Sequence, residues 1–135
     1  MKQLGLIGRT LGHSFSAKYF AEKFERESLA EQFSYELYEL PAIEDVEKFI
    51  SSTPNLLGFN VTIPYKQSVM PYLDYIDSAA YEIGVVNTIV NIDGKLHGYN
   101  TDFFGMSALA KRIGIDFLGK KVLILGTGGT GKTAK

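Results

Sequence analysis

An open, mostly parallel α/β sheet flanked by helices, with one antiparallel hairpin in it, is the fold class this sequence predicts. Three observations carry the prediction. Short apolar runs alternate with stretches of helical periodicity, which is the pattern of βαβ units. Asp93-Gly94 separates two strand-like runs and favours a type I′ turn. A last apolar run, residues 122–125, leads straight into a glycine-rich string, as where a strand delivers a loop to a following helix.

Taken in order, residues 4–8 read as a first buried strand. Residues 16–29 place Tyr19, Phe20 and Phe24 opposite a polar face and read as an amphipathic helix with Ser16 near its N-cap. Residues 34–40 alternate as a second strand. Pro41 opens a short helix carrying Ile43, Val46, Phe49 and Ile50 on one side, and residues 58–63 form a third strand stopped by Pro64. Pro64 in turn pre-sets a helix start, with Lys66 in or near its first turn. Residues 85–92 and 95–99 flank the Asp93-Gly94 turn, a hairpin in an otherwise parallel sheet. Residues 102–113 form a helix whose apolar face is Phe103, Met106, Leu109 and Ile113, with Gly114 suited to its C-cap. A linker follows at 115–120, then a new buried strand at 122–125.

Composition narrows the function classes. With 45% hydrophobic residues in 135, the chain can build one compact core. Its 14 basic and 15 acidic residues give a net charge of -1 without blocks of one sign, which argues against nucleic acid and membrane partners. It has no cysteine, and its two histidines, His13 and His97, stand far apart, so neither thiolate chemistry nor a metal is expected. The apolar run near the N-terminus is too short for a signal peptide and no stretch approaches a membrane span, so the expected compartment is the cytoplasm.

The string GTGGTGKT at 126–133 satisfies two phosphate-loop patterns at once. GxGxxG uses Gly126, Gly128 and Gly131; GxxxxGK[ST] uses Gly126, Gly131, Lys132 and Thr133. In both, glycines let backbone N–H groups approach phosphate oxygens. A dinucleotide loop, an NTPase loop and a ligand-free tight turn stand level on this string alone.

Polar groups at the carboxyl ends of parallel strands carry more weight, because ligands bind there. Ser14 and Ser16 follow the first strand at alternate positions. Asn60 and Thr62 share one face of the third strand while Val61 and Ile63 pack on the other. Lys66, if held at a helix N-terminus, has its cationic form disfavoured and suits general acid/base work when a second group positions it; an isolated lysine is more often simply solvated. Asn87 lies within an apolar run and must find backbone or ligand partners. Asp102 most simply caps the helix it opens, and its functional reading is as partner to Lys66.

Read together, HSFS at 13–16, NVTIPYK at 60–66, VVNT at 85–88, GYNTDFFG at 98–105 and the glycine string resemble the shikimate dehydrogenase family, over essentially the whole chain. The resemblance implies an oxidoreductase that uses NADP(H) to reduce 3-dehydroshikimate reversibly to shikimate, on the route to chorismate and the aromatic amino acids. It implies a substrate domain over 1–114, a hinge at 115–120, and at 121–135 the truncated start of a Rossmann domain. Such a fragment is expected to be inactive alone, and its region after 120, lacking the sheet it should join, to be disordered or docked elsewhere. By motif position, Ser14, Ser16, Asn60, Thr62, Lys66, Asn87 and Asp102 are implied substrate ligands and Lys66 with Asp102 the catalytic pair. Gly126, Thr127, Gly128, Gly129, Thr130 and Gly131 are implied to hold the cofactor. Many members have proline at the places of Thr10 and Ala17, and in the loop Thr133 stands where alanine is usual. The alternatives are a quinate/shikimate dehydrogenase using NAD, a P-loop nucleotide-binding module, and a non-catalytic binding domain. Oligomeric state is left open, a homodimer being one option.

Overall fold

The computed structural model describes residues 1–135. Six strands form one sheet: β1 Lys2–Gly8, β2 Phe33–Glu39, β3 Leu56–Val61, β4 Tyr75–Ile76, β5 Thr88–Ile92 and β6 Lys95–Tyr99. Five helices accompany them: α1 Ser16–Arg26, α2 Asp45–Ser51, α3 Ser78–Ile83, α4 Thr101–Arg112 and α5 Gly129–Thr133, with a single 3₁₀ turn at Met70–Tyr72. The strand order is β2-β1-β3-β5-β6-β4. β1 runs parallel to both β2 and β3, while β5 is antiparallel to β3 and β6, so the predicted mixed sheet is the one that forms.

The register follows from burial. One face of the sheet carries Ile7, Phe59, Val61 and Ile89 into a core completed by Val46 and Phe49 of α2, Ala80 of α3 and Val69 of the intervening turn. The opposite face takes α1, where Phe20 stacks on Tyr35 with ring centroids 4.3 Å apart and Phe24 lies against Phe33. Tyr35 and Tyr38 therefore serve opposite faces, as an odd separation along a strand requires. At the join of β3 and β5 a Cβ on Gly58 would lie 2.6 Å from the Ile89 carbonyl, so only glycine lets the two backbones approach there. Asp93 and Gly94 have φ of 51° and 83°, the two left-handed residues of the expected turn. Asp74 holds the far side of this hairpin: Leu96 N–H and Lys95 Nζ both donate to its carboxylate, and in that order they lower its pKa.

Several local expectations are corrected. α1 ends at Arg26 instead of residue 29, and Ser28 turns the chain with φ 58°. Its N-cap is Phe15, with no side-chain bond, so Ser16 is the first helical residue and Ser14 Oγ accepts the Ser16 N–H at 3.3 Å. Pro41 precedes a turn, and α2 starts only at Asp45. β3 runs two residues earlier than expected, and Ile63 is 78% exposed instead of packed. No helix starts at Pro64: the chain makes successive turns from there to the 3₁₀ turn, so the helix-dipole argument for Lys66 loses its basis. β4 and α3 are additions to the expected elements. α4 begins at Thr101 and is capped by Asn100, whose side chain accepts the Phe103 N–H, so Asp102 is not the cap.

The C-terminal region departs most. Phe103, Met106, Leu109 and Ile113 are all exposed, because α4 leaves the end of the sheet and packs chiefly on the short α5. Residues 122–125 form no strand; they pair with neither sheet edge, and their apolar side chains face outward. Residues 129–133, by contrast, are seated on the remainder of the fold as α5. No helix is long and apolar enough to cross a membrane.

Candidate active site

One end of the sheet gathers the polar groups. β1 and β3 run parallel and finish there, β5 starts there because it is antiparallel, and β6 ends there. The loop after β1, the turn after β3, Asn87 ahead of β5 and residues 100–102 after β6 thus converge, although they are far apart in the chain. The backbone ties them in place: Val61 N–H donates to Asn87 O, Asn87 N–H to Tyr99 O, and Val86 N–H to Lys66 O, at 2.8, 3.0 and 2.8 Å. The loop after β1 is anchored by Leu11 N–H on Glu39 Oε1 at 2.7 Å.

A cleft of about 390 Å³ opens at this end, and Ser14, Ser16, Asn60, Thr62, Lys66, Asn87 and Asp102 all line it, beside Thr10 and His13. Lys66 Nζ lies 2.6 Å from Asp102 Oδ2, with the two side chains 16% and 33% exposed. That pairing is direct and half-sheltered. Asp102 also sits in the first turn of α4, where a carboxylate is favoured by the helix dipole.

The amides are held rather than loose. Asn87, 7% exposed, accepts the Thr101 N–H at 2.8 Å and donates from Nδ2 to Thr101 Oγ1 at 2.9 Å, which fixes the start of α4 and with it Asp102. Asn60 donates to Thr88 Oγ1 at 3.1 Å and accepts the Tyr35 hydroxyl at 2.9 Å. Sequence reasoning missed Tyr35 and Thr101. Tyr35 lies on β2, 25 residues from Asn60, and no local pattern could have linked them. Thr101 stood inside the GYNTDFFG string, and its place there was the only available signal.

Burial pushes the Tyr35 hydroxyl up to about 12 from its ordinary 10, with a weaker opposing effect from the Ser16 hydroxyl. Tyr38, also pushed up to about 12, owes this to burial and to the adjacent Glu36 charge. A phenol whose folded pKa exceeds its unfolded one contributes stability that is fully present below about pH 10 and is lost as pH rises toward 12. Folding stability therefore falls across that window, and in Tyr35→Phe the fall is shallower when followed by urea denaturation at about pH 9 to 12. An equally steep fall in the variant would show that the phenol does not titrate with folding. Tyr35→Phe also frees Asn60 Oδ1 from the hydroxyl that fixes it, a loss of about 1 kcal/mol for one hydrogen bond.

The glycine string reaches the same end of the sheet. A Cβ on Gly129 would lie 3.3 Å from Lys66 Cδ, so the string passes along the lysine stem. Gly126 has φ 126°, and a Cβ on Gly131 would meet the Gly126 carbonyl at 2.5 Å, so the backbone doubles back tightly where both glycines are required. The first backbone bond of α5 joins Lys132 N–H to Gly128 O, which leaves the preceding N–H groups to other acceptors. Gly126, Thr127, Gly128 and Thr130 are exposed. This open cradle fits a phosphate-bearing cofactor. It does not fit the NTPase pattern, which needs the lysine on phosphates and the threonine on Mg²⁺. Lys132 Nζ instead bonds Gln67 Oε1 at 2.6 Å, and Thr133 is turned inward, 5% exposed.

Fold and site together define an α/β domain whose strand ends present a lysine–carboxylate pair among hydroxyl and amide side chains in one cleft. The family model described as the shikimate dehydrogenase substrate binding domain matches residues 6–89, and the chain belongs to that family. Shikimate dehydrogenase (NADP(+)) of Clostridium beijerinckii is 42% identical over 134 residues, covering 98% of this chain and 48% of that protein. The crystal structure of shikimate dehydrogenase 1 from Peptoclostridium difficile superposes with a TM-score of 0.89 at 40% identity, covering 99% of this chain and 49% of that one. That of shikimate 5-dehydrogenase from Thermus thermophilus, in complex with NADP(H) and shikimate, gives 0.85 at 32% identity, with 98% and 50% covered. The chain thus spans about half the length of the relatives it matches.

Proposed function

We propose that this chain is the substrate-binding part of a shikimate dehydrogenase, which reversibly reduces 3-dehydroshikimate to shikimate with NADPH on the route to aromatic amino acids. The observation that carries the reading is the Lys66–Asp102 pair at 2.6 Å, inside a cleft lined by short hydroxyl and amide side chains. A ring acid bearing several hydroxyls needs many such groups in one pocket. In this reading residues 1–114 form the substrate domain, 115–120 the hinge and 121–135 the opening of the Rossmann domain, and the enzyme works in the cytoplasm.

A nicotinamide cofactor, when bound, would supply the hydride for reduction and accept one in oxidation. What remains for the chain is one proton. Lys66 donates it to the oxygen of the new hydroxyl in reduction and recovers it in oxidation, while Asp102, 2.6 Å away, aims the ammonium. Ser14, Ser16, Asn60, Thr62 and Asn87 orient the carboxylate and hydroxyls around that oxygen, and Gly126, Thr127, Gly128, Gly129, Thr130 and Gly131 would hold the cofactor. In the full-length protein, NADP⁺ reduction is expected with shikimate, at a higher kcat/KM than with quinate, and Mg²⁺–ATP is expected not to bind. A quinate preference would overturn the substrate, and binding of ATP but not NADPH would overturn the enzyme class.

A further inference from the structure

Thr133 sits where the glycine string meets the sheet end. It is 5% exposed, and its Oγ1 donates to Gly129 O at 2.9 Å while accepting from Asn100 Nδ2 at 3.1 Å. Asn100 is 1% exposed and otherwise committed: Nδ2 also donates to Val85 O at 3.2 Å, and Oδ1 accepts the Phe103 N–H at 3.0 Å, capping α4. Asp102 lies between that cap and its bond, in the first turn of α4, and reaches Lys66. The Lys66 stem in turn packs on Gly129. The contacts therefore close a ring, from Thr133 through Asn100, the first turn of α4, Asp102 and Lys66 back to α5.

Within this ring the Thr133–Asn100 bond is the single hydrogen bond from α5 to the residues that hold Asp102. Deleting the Thr133 hydroxyl leaves one buried Nδ2–H of Asn100 without its acceptor, a loss that acts on the seating of α5.

We propose that Thr133 and Asn100 are positioning residues that couple cofactor occupancy of the glycine string to the geometry of the Lys66–Asp102 pair, so that dinucleotide and substrate bind with positive linkage. The proposal rests on the function proposed above. A shift of α5 on cofactor binding would bear on Asp102 and Lys66 through this ring, and a shift of the pair on substrate binding would bear on α5. Coupling of this kind is reciprocal: each ligand strengthens the other by the same factor.

NADPH with shikimate tests it, because two reduced partners bind without reacting. Calorimetry on the full-length protein is expected to give an NADPH Kd at least about five-fold lower in saturating shikimate than without it. The isosteric Thr133→Val is expected to bring the two Kd values together while each ligand alone still binds, and Thr133→Ser, which keeps the hydroxyl, is expected to retain the linkage. If valine destabilises the fold, as thermal melting would show, Thr133→Ala takes its place with the same expectation. Wild-type linkage in the valine or alanine variant overturns the proposal, as does lost linkage in the serine variant or no linkage in the wild type. A wild-type protein that binds neither ligand overturns the proposed function itself, whereas one that binds both independently overturns only the coupling.

Discussion

Replacing Lys66 with alanine in the full-length enzyme is expected to lower kcat by about 10²–10⁴-fold, the usual contribution of a positioned proton donor, with the KM for shikimate within a few-fold of its original value. The asymmetry follows from the site. In the function proposed above, substrate orientation is shared among the hydroxyl and amide residues that line the cleft, whereas Lys66 is the one lysine there. The variant is expected to fold normally: Asp102, left without its partner, is 33% exposed and stays within reach of water at a favourable helix start. Steady-state kinetics in both directions checks this, with far-UV circular dichroism as control. A small added primary amine is expected to restore part of kcat, since the missing element is a proton donor and not a packing volume. Turnover close to that of the unaltered enzyme would remove Lys66 from the chemistry.

The largest expected loss of stability is at Phe49. Its ring lies 4.5 Å from Tyr38 and 5.3 Å from Phe59 between centroids, and the residue is 6% exposed. Phe49 thus fastens α2 to strands β2 and β3 at once, and Val46 beside it is fully buried. Phe49→Ala removes most of a ring from the principal core and opens a void that the packed elements around it cannot collapse together. The expected cost is about 3–5 kcal/mol, roughly a third or more of the stability of many domains of this size. Urea denaturation is expected to show a lower midpoint at an unchanged m-value. A cost below about 1 kcal/mol would mean that the core repacks around the deletion.

Both variants bear on how much of the molecule is legible in its sequence. Phe49 is placed on a buried helix face by its spacing from Val46 and Ile50, a relation internal to a single turn or so of helix. The hairpin is legible because Asp93-Gly94 supplies both left-handed residues the turn needs. α3 is legible in principle and easily overlooked: Asp77 caps it through Ala79 N–H at 3.1 Å and Gly84 ends it with φ 75°. Those are ordinary start and stop signals around a short segment. Asp102, by contrast, reads first as a helix cap, because an acidic residue before an apolar-periodic run ordinarily is one. The structure gives the cap to Asn100 and leaves the carboxylate for Lys66, 36 residues away.

By itself, then, the sequence determined the fold class, the alternation of buried runs that forms the sheet, and the inventory of polar groups near strand ends. These are consequences of periodicity, turn chemistry and capping, which act over a few residues. Only the tertiary structure decided that all of those groups share one cleft, that Tyr35 orients Asn60, that Lys66 stands in a turn instead of a helix, and that residues 122–125 remain unpaired while Thr133 is buried. The physical reason is that pairing partners, shelter from water and a strand's neighbours are set by segments distant in the chain, and a residue's own neighbours do not contain that information.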